Sequence, residues 1–228
     1  MKFAYLKMVL FISSLCLIFG LIVSSCNTTD LSPSASTVSQ GESALFAHDN
    51  RYSNIVKIDT STGLASVVGP TVITGGMTGM ATSRGPVPKP GGGVFPSGTY
   101  FGLWGDRLVV VDVTTGEAFE VVKTSRRIGG RGIAFGPDGV TLYIIEGTGF
   151  LSTLDTVTGT VTLVKDTGYS SAALEWDPAS ASFIAIARRL LIRINPSDAS
   201  VTVLGDLGVN ACTIARSPAG IWYTINNS

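Results

Sequence analysis

The sequence predicts an all-β chain: a β-propeller of four-stranded antiparallel blades, about four of them plus a partial one. Three observations predict it. A short phrase recurs, Ile58-Asp59-Thr60-Ser61-Thr62-Gly63, Val111-Asp112-Val113-Thr114-Thr115-Gly116, Leu154-Asp155-Thr156-Val157-Thr158-Gly159 and, weaker, Ile194-Asn195-Pro196-Ser197-Asp198-Ala199, with steps of 53, 43 and 40 residues. Strand-type residues cluster in short runs separated by Gly, Pro, Asp and Ser, and runs of good helix formers are absent after residue 26. Finally, the strand leading into each phrase is apolar on both faces. One residue before the Asp or Asn stand Ile58, Val111, Leu154 and Ile194, and four before it stand Ile55, Leu108, Leu151 and Leu191. Positions three apart point to opposite sides of a strand, so each such strand is covered on both sides. An open sandwich sheet would be polar on one side; a sheet packed between two similar sheets would not.

Residues 131–164 illustrate one unit. Arg131–Phe135 reads as a first strand, and Gly136-Pro137-Asp138-Gly139 as a turn in which Pro fixes φ and Gly supplies a positive one. Leu142–Glu146 is a second strand, Gly147-Thr148-Gly149 a turn and Phe150–Leu154 a third strand. Asp155–Gly159 turns the chain again into a fourth strand, Val161–Val164. The blade units fall near 44–68, 77–124, 131–165, 171–205 and 211–226. In the repeated phrase Asp59, Asp112 and Asp155 are placed to accept backbone N–H bonds two or three residues on. Gly63, Gly116 and Gly159 take the left-handed conformation that closes a hairpin with a bulge. These aspartates sit one per blade and cannot share an ion, so their role is structural.

The folded part opens at a second strand, Leu45–His48. It ends on a first strand, Ala211–Ala215, and another second strand, Ile221–Ile225. A late first strand completing an early blade resembles the closure by which propellers seal their ring. A chain stopping inside a blade reads equally well as a truncated gene product with unpaired edges. The stretch Arg84–Gly98 between the first two strands of a unit is expected to be a mobile loop.

The N-terminus carries an address. Lys2 and Lys7 precede an apolar run from Met8 to Val23, which ends Val23-Ser24-Ser25-Cys26. An aliphatic residue, two small residues and a cysteine resemble the lipobox of bacterial lipoproteins. The resemblance implies a signal peptide over 1–25, cleavage before Cys26, acylation of that thiol and a membrane anchor through the lipid. Asn27, where Asp would favour inner-membrane retention, implies an outer-membrane location if the source is Gram-negative. The other reading is an uncleaved anchor, since the run lies close to the ~18-residue lower limit for a span. Residues 26–43 (CNTTDLSPSASTVSQGES) are rich in Ser and Thr without apolar periodicity and read as a disordered tether. Residues 44–228 form the propeller domain.

Composition narrows the function classes. Without Lys2 and Lys7 the chain has 14 basic and 16 acidic residues, a net of −2, which leaves no nucleic-acid footprint. After Cys16 and Cys26 only Cys212 remains, so no intramolecular disulfide is expected in the folded domain; that cysteine reads as a small core residue. His48 is the single histidine, which excludes a multi-histidine metal site and any conventional triad without it; a strand-end position assigns it a surface or turn role. No serine lies in Gly-x-Ser-x-Gly, and Gly91-Gly92-Gly93 neither opens a helix nor carries Lys-Ser or Lys-Thr. Glu175 and Asp177 share one strand face and fit strand-end solvation. No cofactor is called for.

The segments ALFAHDNRYSNIVKIDTSTGLASVVGP and GIAFGPDGVTLYIIEGTGFLSTLDTVTGTVTLV resemble extracytoplasmic bacterial β-propeller repeats, between the NHL, YVTN and quinoprotein types. The resemblance covers about residues 44–226. The quinoprotein pattern wants a Trp four residues past the turn glycine, where this chain has Val67, Glu120 and Leu163. Tryptophan docking and its cofactor are therefore not implied. No Gly-His and Trp-Asp pairing of the WD type occurs.

Propeller ligands meet the mouth formed by the loops from fourth to first and from second to third strands. Here those loops hold Arg126, Arg127, Glu146, Tyr169, Arg188, Arg189, Asp206 and Asn210, with Arg131 entering the channel. Such a rim suits an anionic or polyol ligand, or an acidic protein surface, through Arg forks. The function read from the sequence is thus a lipid-anchored envelope module that binds a protein or glycan without catalysis. The alternative is a lactonase- or lyase-like propeller enzyme fragment with a metal in the channel, for which Glu175, Asn210 and Asp49 are the candidate ligands.

Overall fold

The computed structural model describes residues 45–73, 75–217 and 220–224. Blade 1 has three strands, β1 (Leu45–Asp49), β2 (Asn54–Ile58) and β3 (Ala65–Pro70). Blade 2 begins with β4 (Met77–Thr82), carries a small hairpin of β5 (Val87–Pro88) and β6 (Val94–Phe95), and continues through β7 (Tyr100–Trp104), β8 (Arg107–Val111) and β9 (Ala118–Lys123). Blade 3 is β10 (Gly130–Phe135), β11 (Leu142–Glu146), β12 (Phe150–Leu154) and β13 (Val161–Asp166). Blade 4 is β14 (Ala173–Asp177), β15 (Ser182–Ala187), β16 (Leu190–Ile194) and β17 (Val201–Asp206). A two-stranded ribbon, β18 (Ala215–Arg216) and β19 (Trp222–Tyr223), follows. Within each blade neighbouring strands pair antiparallel, β4 joining β7 past the separate β5–β6 hairpin, and the described residues contain no helix.

The third strand of each blade explains why the sheets stack around an axis. Ile55, Leu108, Leu151 and Leu191 are buried, and so are Ile58, Val111, Leu154 and Ile194. Leu108 joins the core between blades 2 and 3, whereas Val109 and Val111 join the one between blades 1 and 2. Leu151 faces blade 4 and Leu154 faces blade 2; Ile192 and Ile194 face blade 3 while Leu191 faces the ribbon. Each side chain of this size contributes about 1.5–3 kcal/mol when fully buried. Removing one blade would therefore expose apolar faces on both neighbours.

Among the described residues the ring is closed by packing rather than by a backbone ladder. β18 is hydrogen-bonded to β19 and not to β1. Ile214 and Trp222 pack into the core of blade 4 with Ala173, Ile184 and Ile186, while Ala215 and Tyr223 pack against Leu45, Ala47, Val56 and Ile58 of blade 1. The late first strand thus touches the early blade without pairing with it.

Arg84–Gly98, expected to be mobile, is a packed strap. Val87 is fully buried, Phe95 sets its edge on Phe101 (centroids 5.3 Å apart), and Thr156 of blade 3 donates its hydroxyl to the Pro88 carbonyl at 3.2 Å. The Arg84 guanidinium donates to the Phe135 and Gly136 carbonyls. Two apolar anchors within a Gly- and Pro-rich stretch suffice to seat it across the seam between blades 2 and 3.

Candidate functional site

Two sets of loops meet at one end of the ring, because a blade's second-to-third turn and its fourth-to-next-first loop leave from the same edge. A recurrent threonine locks them together. Thr71, Thr124 and Thr167 each donate N–H and hydroxyl to the turn of their own blade, with hydroxyl distances of 2.9 Å to Ser53 O, 2.9 Å to Asp106 O and 2.7 Å to Gly149 O. Blade 4 keeps only the backbone bond, Leu207 N–H to Arg189 O at 2.7 Å. These threonines lie twelve residues beyond Asp59, Asp112 and Asp155. That spacing was available in the sequence and marks the rim's supports, which the strand pattern alone did not single out.

On this scaffold the rim arginines divide into two kinds. Arg126 forks onto the buried Glu146 carboxylate, Nη1 to Oε2 at 3.2 Å and Nη2 to Oε1 at 2.5 Å. Arg189 forks onto Asp206, Nε to Oδ1 at 3.1 Å and Nη2 to Oδ2 at 2.6 Å. Their carboxylate partners raise both guanidinium pKa values further. Arg127 and Arg188 are exposed and belong to no ion pair among the described residues. Arg188 holds a left-handed φ of 59° and its carbonyl accepts the Ala211 N–H at 3.1 Å, tying this turn to the loop that bears exposed Asn210. Arg131 is exposed and lies over Gly147, while Tyr169 is half-buried, with its carbonyl accepting the Thr167 and Ser171 hydroxyls. The rim therefore pairs the pre-set, neutralised forks of Arg126 and Arg189 with the exposed cations of Arg127 and Arg188.

The turn aspartates lie at the opposite end. Asp59 Oδ1 accepts the Ser61 N–H (2.8 Å) and hydroxyl (2.7 Å), and these bonds hold its carboxyl down at about 2. Asp112 accepts the Thr114 N–H at 2.8 Å, Asp155 the Val157 and Thr158 N–H groups at 2.8 and 2.9 Å, and Asn195 the Ser197 N–H at 2.9 Å. Gly63, Gly116 and Gly159 have φ of 75°, 86° and 73°.

His48 departs from the surface role expected of it. It is 1% exposed, with Nδ1 2.7 Å from Asn50 Oδ1, and that same oxygen accepts the Met77 N–H of blade 2 at 3.0 Å. Burial lowers its pKa and favours the neutral ring, which sits against the Asn50 amide that ties blade 1 to blade 2. Glu175 and Asp177 are not solvated strand-end residues either. Asp177 is buried, and the Glu175 Oε2 atom is sealed from solvent without a hydrogen-bond partner. The three ligands considered for a channel metal lie in separate places. Glu175 faces the ribbon, exposed Asn210 lies on the rim, and Asp49 caps the Arg51 and Tyr52 N–H groups. Among the described residues no three His, Cys, Asp or Glu side chains gather as a metal site. Cys26, the signal segment 1–25 and the tether 26–43 lie outside the described residues. Within those residues no helix is long and apolar enough to cross a membrane.

No protein-family model matches the chain, and no curated protein matches it. Solved structures do. A nidogen/laminin complex superposes with a TM-score of 0.55 at 15% identity, over 81% of this chain and 68% of that one. A structural-genomics protein of unknown function from Bacteroides thetaiotaomicron VPI-5482 gives 0.52 at 13% identity, over 83% of this chain and 51% of that one. The fold is a β-propeller. The chain spans about two thirds of the first neighbour and half of the second, and likeness at this level of identity establishes architecture alone.

Proposed function

We propose that this chain is a binding module: a propeller held at the bacterial envelope by a lipid on Cys26, contacting a protein or a glycan through its rim without catalysis. The observation that carries the reading is the division among the rim arginines. Glu146 and Asp206 spend their charge on Arg126 and Arg189, which leaves Arg127 and Arg188 exposed on loops pinned by Thr124 and by the bond from Leu207. Guanidinium groups carried on pinned loops suit bidentate contact with carboxylates or sulfates on a partner. Arg131, Tyr169 and Asn210 extend the same face. A structural neighbour comes from a nidogen/laminin complex, an instance of this fold in a protein–protein assembly.

The rim is tested by the double substitution Arg127→Ala with Arg188→Ala. Retention on immobilised acidic polysaccharides and on envelope protein fractions should fall about tenfold or more, by the size of two charge-assisted contacts. Unchanged retention removes the rim from the reading. The anchor is tested separately by Cys26→Ser. This variant should take up no radiolabelled fatty acid and leave the membrane fraction, whereas continued labelling means that the lipid is not on Cys26.

A further inference from the structure

Charge is sorted along the axis of the ring. The loops between the described strands hold seven cations and seven acids, and the two signs are not mixed. The rim loops carry Arg51, Arg126, Arg127, Arg188 and Arg189 against Asp106 alone. The loops at the opposite end carry Asp59, Asp112, Glu117, Asp138, Asp155 and Asp198 against Arg84 and Lys89. Charges borne on the strands cancel within either half, four of each sign toward the rim and three of each sign beyond it. The described residues thus sum to zero, yet one end of the ring is positive and the other negative. Such a field acts on association rather than on the fold itself.

The sign of the far end is secure, because hydrogen bonds within their own turns hold the Asp59, Asp112, Asp155 and Asp198 carboxyls below the usual range. Exposed apolar side chains gather at the same two ends. Tyr52, Val72, Phe150 and Val209 lie on the rim, and Leu64, Val94, Val157 and Ile221 lie at the opposite end. Among the exposed large apolar residues described, only Phe119, Leu163 and Val203 fall between them, on the outer strands. Val72 is the extreme case. It is 75% exposed and holds a left-handed φ of 61°, which a β-branched residue adopts at a cost. After the locking threonine of blade 3 and its blade 4 counterpart, the same place is taken by Gly168 and Gly208, each at φ 74°. An apolar residue kept exposed against its own backbone preference points to contact with a partner.

We propose that copies of this chain stack head to tail, the cationic rim of one seated on the turn-aspartate end of the next. The proposal rests on the reading of the rim as a contact surface and names its partner. A second copy accounts for both ends at once, whereas an acidic polymer or an anionic membrane would use the rim alone. The repeat also supplies the register. Asp59, Asp112, Asp155 and Asp198 recur once per blade, and the rim cations stand on blade 1, on the loop between blades 2 and 3, and on blade 4. Both sets follow the same rotation about one axis, so opposite charges can face each other blade by blade. Such a contact joins two different surfaces, leaves one free end of each kind and grows as an open row. The described chain begins at Leu45, paired with Ile58 beside Asp59, which puts the root of the tether at each junction. A row lying along a membrane keeps every tether within reach of it.

The test is sedimentation velocity of the full chain in a neutral detergent, across a range of protein concentrations. Association should grow with concentration at about 50 mM salt and weaken about tenfold or more at about 500 mM, where the charges are screened. Two charge reversals then locate it. Arg127→Glu with Arg188→Glu makes the rim acidic, and Glu117→Lys with Asp198→Lys makes the far end basic. Each variant alone should be monomeric, because its two ends now repel. Mixed in equal amounts they should associate again, since each rim then meets an end of opposite sign. If a reversed variant does not fold, the neutral pairs Arg127→Ala with Arg188→Ala and Glu117→Gln with Asp198→Asn should each weaken association about threefold or more. A monomer under all conditions overturns the stack, and so does association that ignores salt or is not restored by mixing. Retention on acidic polysaccharide by a chain that stays monomeric would remove the stack and leave the rim as a contact surface.

Discussion

Gly159→Ala is expected to destabilise the chain by about 2–5 kcal/mol, read as a lowered denaturant midpoint at constant slope. Two costs add. Gly159 has φ of 73°, and an alanine there loses about 1–2 kcal/mol to its own backbone. A Cβ at this place would also stand 2.0 Å from the Lys123 carbonyl oxygen on the outer strand of blade 2. Backbone cannot rotate aside as a side chain can, so one blade must shift, at a further cost of about 1–3 kcal/mol. The contact is stitched by hydrogen bonds as well, Ser125 N–H to Gly159 O at 2.8 Å and Val161 N–H to Ser125 Oγ at 3.0 Å. Blade 4 separates the two costs. Its equivalent turn holds Ala199 at φ 54°, buried, so the turn itself admits a methyl. Gly91→Ala provides the control: φ is 78°, nothing lies within 4 Å of a Cβ, and only the backbone cost applies. Equal losses at positions 159 and 91 would mean that the contact with Lys123 carries no weight.

That comparison also shows what was legible beforehand. The turn role of Asp59, Asp112 and Asp155 follows from spacing, because the acceptor and its donors are local. Burial on both faces of the third strands was equally plain, since Leu108 and Val111 three residues apart must point in opposite directions. What escaped depended on contacts distant in sequence. His48 looked like a strand-end residue because its partner Asn50 holds the backbone of the next blade, at Met77. The Arg84–Gly98 strap looked like a loop because Val87 and Phe95 are isolated apolar residues among Gly and Pro. The rim arginines could be placed on their loops by counting strands. Their pairings could not, because Arg126 and Glu146 meet only once a blade has folded back on itself. Glu175 was visible as an acid on a strand but became an anomaly only after registers equated it with Ala81 and Ala134.

Phe101→Ala is the second large effect expected, about 3–5 kcal/mol, or roughly 10 °C in Tm for a chain of this size. Phe101 is fully buried and lies in a line of three aromatic rings. Phe95 of the strap meets one side at 5.3 Å and 88°, and Phe135 of blade 3 meets the other at 5.3 Å and 70°. Deleting the middle ring removes two edge-to-face contacts, each about 0.5–1.5 kcal/mol beyond area burial, and leaves a cavity between blades 2 and 3. Phe101→Leu keeps most of the volume and should cost far less. The strap gives the decisive readout. Val87 and Phe95 are its apolar anchors, so hydrogen exchange over 87–95 should accelerate in Phe101→Ala more than exchange over β15 in blade 4. Uniform acceleration would mean that the strap is held by Thr156 and Arg84 instead, with the aromatic line serving only the seam beneath it.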